Sequence, residues 1–280
     1  MSAKILSGTE LAKQMFADIK RRVAGRKIGL SVILVGDDAP SEIYVAHKMR
    51  ACAEVGISAT LHRVDDKQIP QNELQDYLVY MIEKLNTDDS VDGVLVQLPL
   101  PKHVDARAVL SRINPEKDVD GFHGANAGAL FLGDDGLVAC TAQGVMRLLE
   151  STGVDLRGKH AVVVGASNLV GKPTSVLLLA AGCTVTVCHS LTVDLEKHTR
   201  MADVLVVAVG KQNLVTADMV KPGAIVVDVG INRVDGKIYG DVDFDGVKKI
   251  AGYITPVPGG VGPMTVAQLL DNTVRAALQS

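Results

Sequence analysis

The chain has 280 residues, of which 47% are hydrophobic and 22% charged, with a formal net charge of −3 at neutral pH. That length suits two domains of ordinary size, the composition suits a globular α/β protein, and the charge leaves no bulk basic surface for nucleic acid. No like-charge run marks a tail or a membrane-surface patch, no apolar stretch approaches the ~20 residues of a spanning helix, and Met1 to Leu6 lack the continuous apolar core of a secretory leader.

In chain order, Thr9 to Val23 has helical spacing and Leu30 to Val35 reads as a strand ending at the turn Gly36-Asp37-Asp38-Ala39-Pro40. A helix is expected from Ser41, read as its N-cap, to about Val55. Ala59 to Val64 (strand), Gln71 to Leu85 (helix) and Gly93 to Gln97 (strand) complete a β-α-β-α-β order that implies a mostly parallel sheet. Asn114 to Gly136 is rich in Gly, Asp and Asn with little periodicity, and is expected to hold the inter-domain connection. After a helix over about 143–151, strands are expected at 161–164, 184–188, 204–209 and 225–229 with helices between them, a Rossmann-type doubly wound sheet. The last helix, about 265–278, carries one apolar stripe of Val266, Leu269, Leu270, Val274 and Leu278.

The sharpest local signal is Val162-Val163-Val164-Gly165-Ala166-Ser167-Asn168-Leu169-Val170-Gly171-Lys172-Pro173. A β-branched apolar strand runs into a glycine turn and a helix start, the architecture that places backbone N–H groups and a helix dipole against a dinucleotide pyrophosphate. Gly165 permits the sharp exit, Gly171 permits close helix packing, and Pro173 suits a first helical turn. The spacing G-x-S-x-x-x-G differs from G-x-G-x-x-G, and an ordinary strand-to-helix turn would look similar. No carboxylate ends the following strand, where Val187-Cys188-His189-Ser190 stands, so a 2′-phosphate meets no repulsion and NADP is favoured over NAD. His189 and Ser190 can donate to that phosphate or serve the loop alone. Lys172 is the nearest cation.

In the first half, Tyr44 and Lys48 lie one helical turn apart on one face, bordering the apolar row Val45, Met49 and Cys52. A lysine at such a border can lose hydration, which suits proton transfer, or can lay its stem on apolar surface with its head in water. Gln97 ends a buried strand ahead of Leu98-Pro99-Leu100-Pro101, where open α/β sheets place ligand groups. In Lys117-Asp118-Val119-Asp120-Gly121-Phe122-His123 the two aspartates share a side if extended; one could accept two N–H groups of a nitrogen heterocycle, or both could serve turns and caps. Pro256-Val257-Pro258-Gly259-Gly260-Val261-Gly262-Pro263 reads as a rigid, specifically shaped loop. The four cysteines, Cys52, Cys140, Cys183 and Cys188, form no C-x-x-C pair and have no His cluster nearby, so buried thiols in a reducing cytoplasm are expected and no metal site is.

Taken in order, these segments, with Gly230-Ile231-Asn232 and Gly240-Asp241-Val242-Asp243, resemble the bacterial bifunctional methylenetetrahydrofolate dehydrogenase/cyclohydrolase (FolD) family over nearly the whole chain. The resemblance implies a two-domain α/β fold: an N-terminal catalytic and folate-binding domain over 1–138, a Rossmann-type NAD(P)-binding domain over 139–263, a folate cleft between them, and a final helix, 264–280, returning to the first domain. It implies oxidation of 5,10-methylenetetrahydrofolate by NADP⁺ (NAD⁺ being the alternative) and hydrolysis of the product to 10-formyltetrahydrofolate. The family's proton-transfer lysine matches Lys48, tuned by the matches to Tyr44 and Gln97. Its pterin anchor matches Asp120; Tyr44, Gln97, Pro258, Gly259 and Gly260 complete the substrate set. Gly165, Ala166, Ser167, Ser190 and Ile231 match cofactor contacts. A cytoplasmic homodimer acting on tetrahydrofolate derivatives, without nucleic-acid or membrane partners, is implied as well.

The chain departs from the family where Ala166 and Leu191 replace the Arg and Lys of many relatives, removing two cations near a 2′-phosphate, and where Ala139-Cys140-Thr141-Ala142 replaces Pro-Cys-Thr-Pro. A shikimate- or amino-acid-type dehydrogenase shares the architecture but needs a Lys–Asp acid/base pair that the Tyr44, Lys48 and Gln97 set does not supply. A silent folate- or nucleotide-binding protein is opposed by the intact Tyr44, Lys48, Gln97 and Asp120.

Overall fold

In the computed structural model, which describes residues 2–279, strand β1 (Lys4–Ile5) and helix α1 (Gly8–Val23) come first. Then follow β2 (Gly29–Val35), α2 (Ala39–Val55), β3 (Ser58–Val64), α3 (Leu74–Asn86), β4 (Gly93–Val96), α4 (Ala106–Leu110) and α5 (Gly124–Leu132). The remainder is α6 (Cys140–Glu150), β5 (His160–Val164), α7 (Gly171–Ala180), β6 (Thr184–Cys188), α8 (Leu195–Thr199), β7 (Val204–Val207), β8 (Ile225–Asp228), β9 (Asn232–Val234), β10 (Lys237–Tyr239), α9 (Phe244–Val247), β11 (Tyr253–Ile254) and α10 (Val261–Gln279). The chain divides into two compact units, one holding Gln14–Cys140 and the residues from Val266 onward, the other holding the residues up to Lys13 and Thr141–Thr265.

The unit of Gln14–Cys140 is built on a parallel three-stranded sheet in the order β3-β2-β4. Alternate residues of the central strand feed two separate cores, as a strand covered on both faces must. Leu30, Val32 and Leu34 pack with Ile19, Val45, Cys52, Leu269 and Val274, whereas Ile33 and Val35 pack with Leu74, Leu78, Ile82, Val94 and Val96. The last helix therefore buries Leu269, Leu270 and Val274 in this unit, while Leu278, the end of the expected stripe, is exposed.

The other unit is a six-stranded parallel sheet in the order β1-β11-β8-β7-β5-β6, with β9 and β10 pairing as a separate antiparallel hairpin. Its central strands β5, β7 and β8 are apolar and buried throughout, apart from Asp228 at the end of β8 and the partly open His160 at the start of β5.

The structure differs from the sequence expectations at several points, one being the link from β7 to β8, where a helix is expected and a single 3-10 turn, Ala217–Met219, forms. Strand β1 pairs with β11, so the first residues belong to the Rossmann sheet and not with the rest of 1–138; two-residue strands carry no periodicity to read. Helix α2 is capped by Asp38, not Ser41: the Asp38 carboxylate accepts the Ser41 N–H at 2.9 Å and its hydroxyl at 2.6 Å, with Pro40 in the first turn. The segment read as a connection contains α5, whose small residues form no apolar stripe; the His123 Nδ1 accepts the Ala125 N–H and caps it. Helix α10 starts four residues early, with Gly262 and Pro263 inside its first turn.

Candidate functional site

In each unit a central strand is flanked by neighbours reached in opposite directions, β2 between β3 and β4 and β5 between β6 and β7. Such a topological switch point opens a crevice at the carboxyl ends of the strands, where α/β sheets bind ligands. Lys48, Gln97 and Asp120 lie by the first of these edges and the Gly165–Gly171 turn at the second, whereas Ile231 follows β8 and Pro258, Gly259 and Gly260 follow β11.

At the β2/β4 edge, Gln97 immediately follows β4, and its N–H is fixed to the Ile33 carbonyl of β2 at 2.9 Å. The Gln97 Oε1 accepts from the Lys48 Nζ at 3.1 Å, and the Gln97 Nε2 donates to the Leu98 carbonyl at 2.7 Å. An ammonium or amine N–H can only donate here and a carbonyl can only accept, so both partners require the same amide orientation. Lys48 is only 7% exposed, so its head is not the solvated one of an ordinary surface lysine. Tyr44, one turn earlier on α2, is half-buried. Burial pushes the neighbouring Cys52 thiol up to about 12, the Lys48 charge opposing it.

The Asp118–Gly121 loop runs beside β4, Asp118 making a parallel bridge with Val94. The two aspartates separate in role. Asp118 is buried, and its Oδ2 accepts the His123 N–H at 2.7 Å and the Asn126 amide at 3.0 Å, which is turn chemistry. Asp120 keeps part of its surface open, yet burial is the main force raising its carboxyl above the usual range; the Lys48 charge lowers it and Asp118 raises it further. That coupling places the Asp120 carboxyl within electrostatic reach of the Lys48 ammonium. The Asp120 backbone is held by the Cys140 N–H on its carbonyl at 3.3 Å. Beside it, Asn272 donates to the Val119 and Val138 carbonyls, both at 2.9 Å, and the Cys140 thiol donates to Val119 at 3.1 Å. Burial also raises the Cys140 thiol strongly, assisted by the Asp120 charge.

At the β5/β7 edge, Gly165 has φ of +119°, and a Cβ there would lie 2.1 Å from the Ala208 carbonyl oxygen just after β7. A Cβ on Gly171 would lie 1.9 Å from the Gly165 oxygen, so this glycine packs the helix start onto the turn itself. The ten-residue α7 begins with Val170 at its cap, which offers no side-chain acceptor. A tight glycine turn at a switch point, feeding a helix start without a carboxylate cap, fits a pyrophosphate. Ala166 and Ser167 form the turn, the Ser167 Oγ accepting the Val170 N–H at 3.2 Å.

Around the expected 2′-phosphate position, Ser190 and His189 are exposed, and the His189 Nδ1 accepts the Leu191 N–H at 3.2 Å. The Lys172 Nζ donates to Asn168 at 2.7 Å. Ile231 is 43% exposed just beyond β8. Pro258, Gly259 and Gly260 lie in the same unit as the nucleotide turn, not in the unit of Lys48, Gln97 and Asp120. Their loop is shaped closely: Gly259 has φ of +102° and its carbonyl accepts the Thr9 N–H at 3.1 Å, while the Gly260 oxygen would stand 1.8 Å from a Cβ on Gly8.

Cys140 is the buried thiol the sequence leads one to expect, but its hold on the Asp120 loop, and Asn272 altogether, escaped the sequence reading. The signal available was a run of polar residues, Gln268 and Asp271 to Thr273, interrupting the apolar face of the last helix.

Two family models match: tetrahydrofolate dehydrogenase/cyclohydrolase, catalytic domain, over residues 6–120, and the NAD(P)-binding domain of the same family over 139–280. The bifunctional protein FolD of Acidovorax sp. (strain JS42) is 55% identical, the alignment covering 99% of both chains. The structure of the Campylobacter jejuni bifunctional enzyme FolD, methylenetetrahydrofolate dehydrogenase/cyclohydrolase, superposes with a TM-score of 0.94 at 50% identity over 99% of each chain. The Trypanosoma brucei methylenetetrahydrofolate dehydrogenase-cyclohydrolase, solved with NADP and an inhibitor, gives 0.93 at 38% identity over 100% of this chain and 98% of that one.

Proposed function

The chain belongs to the tetrahydrofolate dehydrogenase/cyclohydrolase family, and from that premise we propose that Lys48, Gln97, Tyr44 and Asp120 carry its folate chemistry while the Gly165–Gly171 turn holds its cofactor. The enzyme oxidises 5,10-methylenetetrahydrofolate with NADP⁺ and hydrolyses the resulting 5,10-methenyl cation to 10-formyltetrahydrofolate, in one-carbon metabolism. The observation that carries the residue assignment is the buried Lys48 amine bonded to Gln97 at 3.1 Å within electrostatic reach of the Asp120 carboxyl.

In the oxidation, a hydride leaves the methylene carbon as a neighbouring nitrogen lone pair forms the C=N bond. Bound NADP⁺ supplies the acceptor for that hydride. This step needs alignment and no acid or base, so the protein's part is to hold the pterin. Asp120 does this by accepting ring N–H groups. Gly165, Ala166 and Ser167 would hold the pyrophosphate, Ser190 would hold the 2′-phosphate, and Ile231 would add an apolar contact to the cofactor. In the hydrolysis, water adds to the methenyl carbon, one of its protons is released, and the other passes to the pterin nitrogen as the bond from that nitrogen to the carbon breaks, leaving the formyl group on the other nitrogen. Lys48 Nζ moves the released proton. Gln97 holds the amine in line by accepting one of its hydrogens, and Tyr44 borders the same surface. Pro258, Gly259 and Gly260 supply backbone to the substrate.

A homodimer is the proposed assembly. Edge strand β6 leaves Val187 exposed and the loop beyond it Val193, apolar side chains that a second copy would cover. A cytoplasmic setting keeps the four buried cysteines as thiols. No helix among the described residues is long and apolar enough to cross a membrane.

Steady-state oxidation of 5,10-methylenetetrahydrofolate with NADP⁺ and NAD⁺ in parallel, following cofactor reduction and methenyl accumulation, tests this assignment. Turnover with NADP⁺ well above NAD⁺ is expected. Tight folate binding without either turnover would replace the enzyme by a binding protein.

A further inference from the structure

The unit of Thr141–Thr265 contains two buried aspartates that neither reaction uses, Asp228 at 3% exposure and Asp241 at 0%. Asp241 accepts three successive backbone N–H groups: Val209 and Gly210 on Oδ2 at 2.7 and 2.9 Å, and Lys211 on Oδ1 at 2.8 Å. Its Oδ1 also accepts the Asn232 side-chain amide at 2.9 Å. Asp228 accepts the N–H groups of Gly230 at 3.0 Å and of Asp241 and Val242, both at 2.9 Å. The two carboxylates thus staple the turn after β7 to the turn after β8.

The staple leaves room for nothing else. A Cβ on Gly230 would lie 2.2 Å from the Asp241 carboxyl, and one on Gly240 would lie 1.8 Å from the Asp228 Oδ2. This accounts for the glycines in Gly230-Ile231-Asn232 and Gly240-Asp241. Two large apolar side chains nevertheless stand open on the stapled backbone, Val209 at 46% and Ile231 at 43%. Ile231 sits between Gly230, held by Asp228, and Asn232, held by Asp241. In a doubly wound sheet the ribose-reading strand after the glycine turn, here β6, marks the adenosine end. The nicotinamide end then lies on the opposite side of β5, over β7 and β8.

We propose that Asp228 and Asp241 are positioning residues for hydride transfer, fixing Val209 and Ile231 as the apolar surface against which the nicotinamide ring is aligned. This rests on the proposed function, since alignment matters only if the chain transfers hydride. Affinity for the cofactor comes chiefly from the phosphates at the Gly165 turn, so misalignment acts on the rate more than on binding.

The test compares wild type with Asp241→Asn and with the milder Asn232→Ala, which removes one staple bond and leaves both carboxylates in place. Dehydrogenase kcat, the KM for NADP⁺, the primary deuterium isotope effect with methylene-deuterated substrate, and cofactor-free hydrolysis of 5,10-methenyltetrahydrofolate are measured on each. The expected result is a tenfold or larger fall in dehydrogenase kcat, a KM for NADP⁺ within about threefold, a raised isotope effect, and cyclohydrolase activity within about twofold. If Asp241→Asn does not fold, Asn232→Ala decides alone. Unchanged hydride transfer, a raised KM with kcat intact, or a parallel loss of both activities would each overturn the inference. A wild-type chain without dehydrogenase activity would overturn the function it rests on, and the inference with it.

Discussion

Both units place a central strand between neighbours reached in opposite directions, but different materials stand at the two carboxyl edges. At the β2/β4 edge the candidate groups are side chains: a buried lysine, a glutamine that can sit only one way, and a carboxyl raised by burial. At the β5/β7 edge the groups are backbone, shaped by glycines whose missing Cβ atoms leave space for a turn and a helix start. On the proposed assignment the first edge moves a proton and the second cradles charge already present in a ligand. Substitutions should therefore fail differently: chemistry is lost at one edge with the fold intact, and shape is lost at the other.

Lys48→Met puts the largest strain on this contrast. It keeps an unbranched stem of similar reach on α2 and removes the amine. Hydrolysis of the methenyl cation should fall by about 10²–10⁴, the usual range for a lost general acid or base, while hydride transfer persists in part. The check is the cofactor-free hydrolysis rate beside the dehydrogenase rate on one preparation. Equal loss of both would make Lys48 a holder of substrate.

Gly165→Ala tests the other edge. The new methyl would meet the Ala208 oxygen at 2.1 Å on a backbone of φ +119°. Steric overlap and the left-handed conformation together should destabilise by at least about 3 kcal/mol. NADP⁺ binding by calorimetry should vanish or weaken strongly, with a lowered thermal midpoint. A variant that binds NADP⁺ normally would show that the turn can relax, and that its shape is not what holds the pyrophosphate.

The two buried carboxyls sharpen the comparison. Asp228 is pushed up to about 6, burial being the largest cause and Asp241 adding to it, against three N–H donors that lower it. A folded-state value above the ordinary 3.8 means that the native protein holds a proton the unfolded chain has released. Its contribution to stability is fully present below about pH 4 and is lost as pH rises through about 6, on the order of 3 kcal/mol. A carbon-13 titration of the aspartate carboxyls should show a midpoint near 6 for Asp228. A midpoint below 4 would mean that the N–H donors outweigh burial.

How far the sequence reveals these edges follows from the same division. Tyr44 and Lys48 were legible because helical period alone puts them on one face, and Gln97 because strand ends are where such sheets place ligand groups. The glycine turn was legible because φ and close approach both demand glycine. Asp118 and Asp120 were indistinguishable in sequence, since what separates them is whether His123 and Asn126 have already engaged the carboxylate. Asp241 was invisible as a staple because its N–H partners at 209–211 lie about thirty residues away and present no side chain to read. Strands β1 and β11 are too short for any pattern. Long-range polar pairing, not hydrophobic periodicity, is what the sequence withholds here.

The weakest point of the nucleotide edge supplies the smallest expected effect. Of the polar groups near the 2′ position, the His189 Nδ1 already accepts from Leu191 and the Lys172 amine already donates to Asn168. Ser190 is exposed and neutral, and Ala166 and Leu191 bring no charge. On the proposed assignment, recognition of a 2′-phosphate at this turn would draw on Ser190, on the His189 Nε2–H that an accepting Nδ1 leaves as a donor, and on whatever share of Lys172 the phosphate can win from Asn168. Ala166→Arg adds a guanidinium at the turn, and one charge-assisted contact at an exposed site should contribute about 1.5 kcal/mol. The ratio of kcat/KM for NADP⁺ over NAD⁺ should rise about tenfold, with cyclohydrolase activity unchanged because no residue of the β2/β4 edge is altered. An unchanged ratio would mean that the 2′-phosphate is held away from this turn, and that backbone shape, not side-chain charge, is the whole of what this edge contributes.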